Sequence, residues 1–215
     1  MGFDKLFAII AGEPVIGHAV RAFDRASSVS EIIVVAREER HDEIRKISRD
    51  AGLKKSRAIV SGGERRQDSV RAGLDRVGRE AKYVAVHDAA RPLITPGQIE
   101  RAFEQCCLHG AAALAQPVND TLKRADADLL VAERVDRHRL YAMQTPQIFE
   151  RKLIEDAYRA VYAENISVTD EVSAVERLCY KIALVLNDEF NFKITYPRDL
   201  QVADFILRER AKNSR

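Results

Sequence analysis

YVAVHDAARPLITPGQIERAFEQCCLHGAAALAQPV, residues 83–118, passes from one regular structure to the other and back within a short span. Residues 83–87 form a short β-branched run of the kind that fills a buried strand. Thr95 then offers a hydroxyl N-cap, Pro96 occupies the first turn and Gln98 stands three residues after the cap, which together predict a helix start. Gly110 predicts the end of that helix, and residues 111–118 are again apolar and strand-like. Strand, crossover helix, strand is the unit from which α/β folds are built.

The alternation continues outward. Before it, residues 15–26 read as an amphipathic helix, 31–36 as a buried strand, 38–51 as a charged helix, 58–60 as a short strand, and 68–77 as a helix after a Gly-Gly turn. After it, 150–164 and 171–179 read as helices, 182–186 as a strand and 197–212 as a closing helix with Pro197 at its first turn. The pattern predicts an α/β fold with a doubly wound, mostly parallel sheet, in one domain spanning residues 1–215. Residues 119–141 break the rhythm with weak alternation, many charges and turn chemistry at Asp126 and Asp128. They predict a two-stranded β-arm, too thin for independent stability and therefore packed on something, such as a second subunit.

Composition narrows the function classes. Thirty-five Lys and Arg against 33 Asp and Glu leave a net charge of +2, which argues against a nucleic-acid binder that relies on bulk positive charge. No apolar run approaches the ~20 residues of a membrane span, and the chain does not open on the basic-then-apolar order of a signal peptide, so a cytoplasmic protein without membrane contacts is expected. Cys106, Cys107 and Cys179 are odd in number and form no C-x-x-C pair; they are expected to be reduced structural thiols. H-E-x-x-H, G-x-S-x-G, G-x-G-x-x-G and Walker patterns are all missing from the sequence.

Two compact constellations and one scattered set remain. The scattered set is Asp120-Thr121 with Lys123 and Arg124, Asp136-Arg137, Gln144-Thr145-Pro146-Gln147, Thr169-Asp170-Glu171 and Asn191-Phe192-Lys193. Each is a cap or a solvated face by itself, but together they supply the hydroxyls and cations that a phosphorylated polyol needs. Ser61-Gly62-Gly63-Glu64-Arg65-Arg66-Gln67-Asp68-Ser69 lies between a strand and a helix, where glycines let backbone N–H groups face a ligand and a helix N-terminus favours anions. A tight turn before a helix would need much the same residues. His87-Asp88-Ala89-Ala90-Arg91-Pro92 stands at the carboxyl end of a strand, the edge at which open α/β sheets bind ligands. There Asp88 can hold Mg²⁺ and Arg91 can clamp a phosphate, although an Asp–Arg pair bracing a loop is an equal reading.

Taken in order, DKLFAIIAGEPVIGH, GGERRQDSVRAGL, VHDAARPLI, PVNDTLKR, VDR, QTPQIF, TDE and NFKIT resemble the 2-C-methyl-D-erythritol 4-phosphate cytidylyltransferases of the non-mevalonate isoprenoid pathway. The resemblance implies a Rossmann-like nucleotidyltransferase core, Mg²⁺ and CTP, and a homodimer that exchanges its β-arms. By that resemblance Gly63, Glu64, Ser69 and Ala89 hold the nucleotide, Asp88 is the metal-associated aspartate, and Lys5 and Lys193 face the phosphates as catalytic cations. Arg91, Thr145 and Thr169 fall on the polyol-phosphate side, with Thr121 and Arg137 reaching it from the arm of the partner. A cytidylyltransferase for ribitol 5-phosphate is the neighbouring alternative.

The family's first strand and A-A-G-x-G-x-R-M-G loop have no counterpart, and Met1-Gly2-Phe3-Asp4-Lys5 reads as the tail of that loop. Met1 is accordingly expected to be an internal methionine. A catalytically impaired nucleotide-binding or dimerisation module is the reading from another class.

Overall fold

In a computed structural model that describes residues 4–213, each strand and helix expected from the alternation is present. The expectation for Met1 falls outside the described residues. The chain opens on β1 (Ile9–Ile10) and β2 (Glu13–Pro14), a small hairpin turned by Ala11 and Gly12, both at positive φ. Next come α1 (Val15–Arg25), β3 (Ile32–Ala36), α2 (His41–Asp50), β4 (Ser56–Ser61), α3 (Arg66–Leu74), β5 (Tyr83–Val86), α4 (Pro96–His109) and β6 (Ala111–Pro117). The helix expected over 38–51 begins with a 3₁₀ turn at Glu38–Arg40. The punctuation of α4 is as read: Thr95 accepts from the Gln98 N–H, Gln98 returns a bond to the Thr95 N–H, and Gly110 takes a left-handed φ of 75°.

The arm comprises β7 (Lys123–Ala125) and β8 (Val131–Arg134), which pair antiparallel with each other alone. Leu129, Leu130 and Val131 are exposed there. The remaining elements are β9 (Tyr141–Glu150), α5 (Arg151–Ala163), α6 (Glu171–Glu176), β10 (Ala183–Leu186) and α7 (Pro197–Asn213).

The α/β architecture holds, with a sheet that is mixed and divided rather than continuous and mostly parallel. Four strands run in the order β10-β6-β9-β5; β9 is antiparallel to both its neighbours, and only β10 and β6 pair in parallel. Helix α4 covers one face through Ile99, Ala102 and Cys106 against Ala112, Leu114 and Ile148. The other face meets α5 and α6 through Ile154, Ala157, Tyr158 and Val175 against Ala111, Ala113 and Phe149. Both faces being covered, β6 is buried along Ala111–Ala115 without any polar alternation.

Strands β3 and β4 form a separate parallel pair. Between β3 and β5 lies a cavity of about 460 Å³, walled by Ile33 and Val35 on one side and Val84 and Val86 on the other. Helices α1 and α3 close it through Phe23 and Leu74. Its lining reaches His87, Asp88 and Ala89 just beyond the carboxyl end of β5.

Candidate active site

At the end of β5 the backbone turns out of the sheet at His87 and Asp88. The Asp88 N–H donates to Thr145 Oγ1 at 3.0 Å, and that hydroxyl lies 3.0 Å from His87 Nδ1. His87 Nε2 faces the Arg91 carbonyl at 3.3 Å. A carbonyl only accepts, so Nε2 carries the proton and Nδ1 accepts from Thr145. Burial holds the imidazole well below its ordinary pKa, down to about 4, and it is neutral at pH 7. The chain of bonds fixes the backbone on both sides of the Asp88 carboxylate.

Three cations surround that carboxylate. Lys193 Nζ stands 3.1 Å from Oδ2, Arg66 Nη2 3.7 Å from Oδ1, and Arg91 Nε 3.7 Å from Oδ2. Burial opposes the charged form of Asp88, yet Lys193, Arg66 and Arg91 together hold its pKa below the usual aspartate value. Lys193 is half exposed, whereas Arg91 is buried and spends two donors on the Asn191 and Met143 carbonyls. Arg91 Nε is buried beyond hydrogen-bond range of any acceptor and contributes charge alone.

Arg66 is anchored from behind. Its two terminal nitrogens donate to Glu171 at 2.5 and 2.8 Å, and Tyr158 adds a third donor to that fully buried carboxylate at 3.0 Å. Glu171 and Asp88 together raise the pKa of Arg66 despite its burial. On the other flank, the loop bearing Lys193 is held by buried amides. Asn187 receives Gln98 Nε2 and donates to Gln144 Oε1, to which Asn191 also donates. Lys5 Nζ donates to the carbonyl of Ile194, the residue after Lys193, at 2.8 Å.

The Gly62–Gly63 turn approaches α3 closely. The Gly63 N–H donates to Ser69 Oγ at 3.1 Å, and a Cβ at Gly63 would stand 2.3 Å from that of Asp68. Glu64 projects to solvent and Ala89 is partly buried beside Ile16 and Val34. Arg91, Thr145 and Lys193 thus meet at Asp88, and Asp88, Ala89 and Ser69 line the same cavity, whereas Lys5 is tied to this group only through the Ile194 carbonyl. Thr169 is exposed just ahead of α6, its hydroxyl 3.3 Å from Ser173 Oγ. Thr121 and Arg137 lie on the exposed arm, where Arg137 donates to the Asn119 carbonyl.

Arg66, Gln67, Glu171 and the amides Gln98, Gln144, Asn187 and Asn191 join this framework, although Gln98 was expected only to cap α4 and none of the others was singled out as a site residue. The doubled arginine after Gly62–Gly63 was the one visible signal. Among the described residues no cluster of three or more His, Cys, Asp or Glu offers a ready metal cage, and no helix is long and apolar enough to cross a membrane.

Over residues 1–209 the chain matches the family model of 2-C-methyl-D-erythritol 4-phosphate cytidylyltransferase. A relative of that name from Caldanaerobacter subterraneus subsp. tengcongensis is 41% identical over 96% of this chain and 91% of its own. One from Halalkalibacterium halodurans is 36% identical over 98% and 92%. A solved 4-diphosphocytidyl-2C-methyl-D-erythritol synthase superposes with a TM-score of 0.83 at 32% identity, covering 94% of each chain. That of Anaerococcus prevotii gives 0.85 at 27% identity, covering 94% of this chain and 93% of its own.

Proposed function

Because the chain belongs to the 2-C-methyl-D-erythritol 4-phosphate cytidylyltransferase family, we propose that the cation cluster around Asp88 is where its cytidylyl transfer takes place. The enzyme is a CTP-dependent nucleotidyltransferase: an oxygen of the polyol phosphate bonds to the α-phosphorus of CTP, the bond to the bridging oxygen breaks, and pyrophosphate leaves. The products are 4-diphosphocytidyl-2-C-methylerythritol and pyrophosphate. The relatives favour neither ribitol 5-phosphate as acceptor nor an impaired binding module.

One observation carries the assignment of the site: three cations lie within 3.7 Å of one carboxylate at the sheet's carboxyl edge. Two anions must meet in this reaction, and catalysis rests on position and charge neutralisation more than on a general base. Lys193 is half exposed and, among the described residues, pairs with Asp88 alone, so it is the cation that can turn toward the reacting phosphate. Lys5, bonded to the carbonyl of the residue after Lys193, is read as the second cation for the phosphates. The Gly63–Ser69 turn, with Glu64 and Ala89, receives the cytidine, while Arg91 acts on the polyol phosphate through its charge. Thr145, with its hydroxyl engaged on both sides, acts through Asp88; Thr169 offers an exposed hydroxyl, shared with Ser173, to the polyol side.

A lone carboxylate suits a magnesium ion that arrives with the nucleotide, since Mg²⁺ is commonly held by one or two carboxylates plus substrate phosphates. Asp88 would be the protein's ligand, and the ion would offset triphosphate charge. We further read the enzyme as a cytoplasmic homodimer. Supporting this are three free cysteines and an arm whose Leu129, Leu130 and Val131 stand exposed. In such a dimer Thr121 and Arg137 complete the site of the other subunit.

The test is pyrophosphate release by the purified chain with CTP and either 2-C-methyl-D-erythritol 4-phosphate or ribitol 5-phosphate. Turnover with the first alone, abolished in Asp88→Asn, is expected. Turnover that survives Asp88→Asn would move the site elsewhere.

A further inference from the structure

Four consecutive residues in the first turn of α3 bond both to the glycine turn before the helix and to the α5–α6 region. Ser69 Oγ accepts from the Gly63 N–H and so holds the glycine turn proposed for the nucleotide. Asp68 serves both sides, because it accepts from the Arg65 N–H at 3.1 Å and pairs with the Arg65 guanidinium at 2.8 Å, while Arg66 and Gln67 reach toward α6 and the segment before it. Asp68 also accepts from the Tyr162 hydroxyl at 2.7 Å, and Arg66 grips Glu171 with both terminal nitrogens. Gln67, only 2% exposed, bonds through both ends of its amide: Nε2 donates to the Ile166 carbonyl at 3.0 Å, and Oε1 accepts from the Val168 N–H at 3.1 Å. Thr169 is therefore bracketed, with the residue before it bound to Gln67 and Glu171 bound to Arg66.

Residues 164–170 between α5 and α6 carry no strand or helix of their own, and the chain turns back at Asn165 with φ 51°. A segment of this kind keeps one position only where its backbone polar groups are bound. The side chain of Gln67 supplies two such bonds from the interior. Asp170 is held by Gln147 Nε2 at 2.9 Å, which fixes the start of α6 but not the residues ahead of Thr169.

We propose that Gln67 is a positioning residue that sets Thr169 at a defined place relative to the nucleotide turn, coupling the two substrate pockets through one turn of helix. The inference rests on Thr169 serving the polyol phosphate, as proposed above. Gln67 touches no substrate; it acts by where it holds the 166–168 backbone. Displacing a substrate-binding group by about 1 Å can cost one to two orders of magnitude, so the effect should be large and confined to one substrate.

Gln67→Met keeps the side-chain volume and removes both bonds. Gln67→Glu keeps the acceptor for Val168 and loses the donor to Ile166. Gln67→Met is expected to raise KM for 2-C-methyl-D-erythritol 4-phosphate about tenfold and to leave KM for CTP within about twofold, with Gln67→Glu in between. Thr169→Ala should raise the same KM, and Thr169→Ala with Gln67→Met should be no worse than the more impaired single variant, because both act through one hydroxyl.

A raised KM in Thr169→Ala with no change in the Gln67 variants overturns the inference alone. So does a parallel rise for both substrates, which is what general loosening of the fold would give. An unchanged KM in Thr169→Ala removes the reading of Thr169 and the inference with it. If both Gln67 variants fail to fold, the wild-type enzyme decides. A non-hydrolysable CTP analogue should slow amide exchange at Val168, and an unchanged rate there overturns the coupling.

Discussion

Lys193 sets its ammonium 3.1 Å from Asp88 Oδ2, although one residue lies on the loop before α7 and the other just beyond β5. The pair leaves Lys193 half exposed and able to exchange a carboxylate for a phosphate. If it stabilises charge that grows at the α-phosphorus, Lys193→Ala lowers kcat by roughly 10²-fold. Steady-state kinetics with a circular-dichroism check of folding measure this. An unchanged kcat with only a raised KM for CTP would assign Lys193 to ground-state binding.

Mixed subunits distinguish an exchanged arm from one that serves its own site. Arg137→Ala in the arm and Asp88→Ala in the core should each be nearly inactive as homodimers. After subunit exchange about half the dimers are mixed, each with one intact site of two, so activity should recover to about a quarter of wild type if the sites are independent. Confirmed exchange with no recovery would put Arg137 and Asp88 in the same subunit's site.

Acid should weaken the fold before the carboxylates titrate. His87 has a pKa of about 4 in the folded chain against about 6.5 when unfolded. Between those values the unfolded chain binds more protons at this residue, so stability falls as pH falls through the window and is unaffected by it above about pH 7. The loss should reach about 2 kcal/mol by pH 5. Urea denaturation across pH 7.5 to 5 measures the slope, which should flatten in His87→Gln. An equal slope in the variant would place the titration elsewhere.

Arg66 and Glu171 should not be equivalent in stability. Glu171 is fully buried, so Arg66→Ala leaves an uncompensated interior charge and should cost about 3–5 kcal/mol. Arg66 is about one-third exposed, and its guanidinium can turn to water or toward Asp88 when Glu171→Gln removes the charge. That variant should cost about 1–2 kcal/mol. Denaturant midpoints at constant m-value decide between this order and its reverse.

Much of this molecule is written in local pattern. The β-branched runs mark β3 and β5, and α4 is announced by Thr95, Pro96, Gln98 and Gly110. The strand that passed unnoticed is β9, which lies between β6 and β5 in the sheet. Its middle reads Gln144-Thr145-Pro146-Gln147, and proline with buried amides looks unlike a central strand. Those amides are inside because they bond Asn187, Asn191, Asp170 and the start of α6, partners far off in the chain. Asp88, Arg91 and Lys193 were legible because each sits in a compact motif. Arg66 and Glu171 were not, because their meaning lies in a pairing across distant segments, which periodicity does not encode.

The division between β3 and β5 bears on how the molecule comes apart. The β3–β4 pair shares no ladder with the four-stranded sheet; α1 and α3, packing on β3, bridge the two across the cavity. Side-chain packing around a void transmits strain less completely than a continuous row of strand bonds. Heating should therefore loosen the β3–β4 half together with α2 before the four-stranded half melts. The calorimetric enthalpy would then exceed the van't Hoff enthalpy, and the transition would spread into two overlapping steps instead of one all-or-none event.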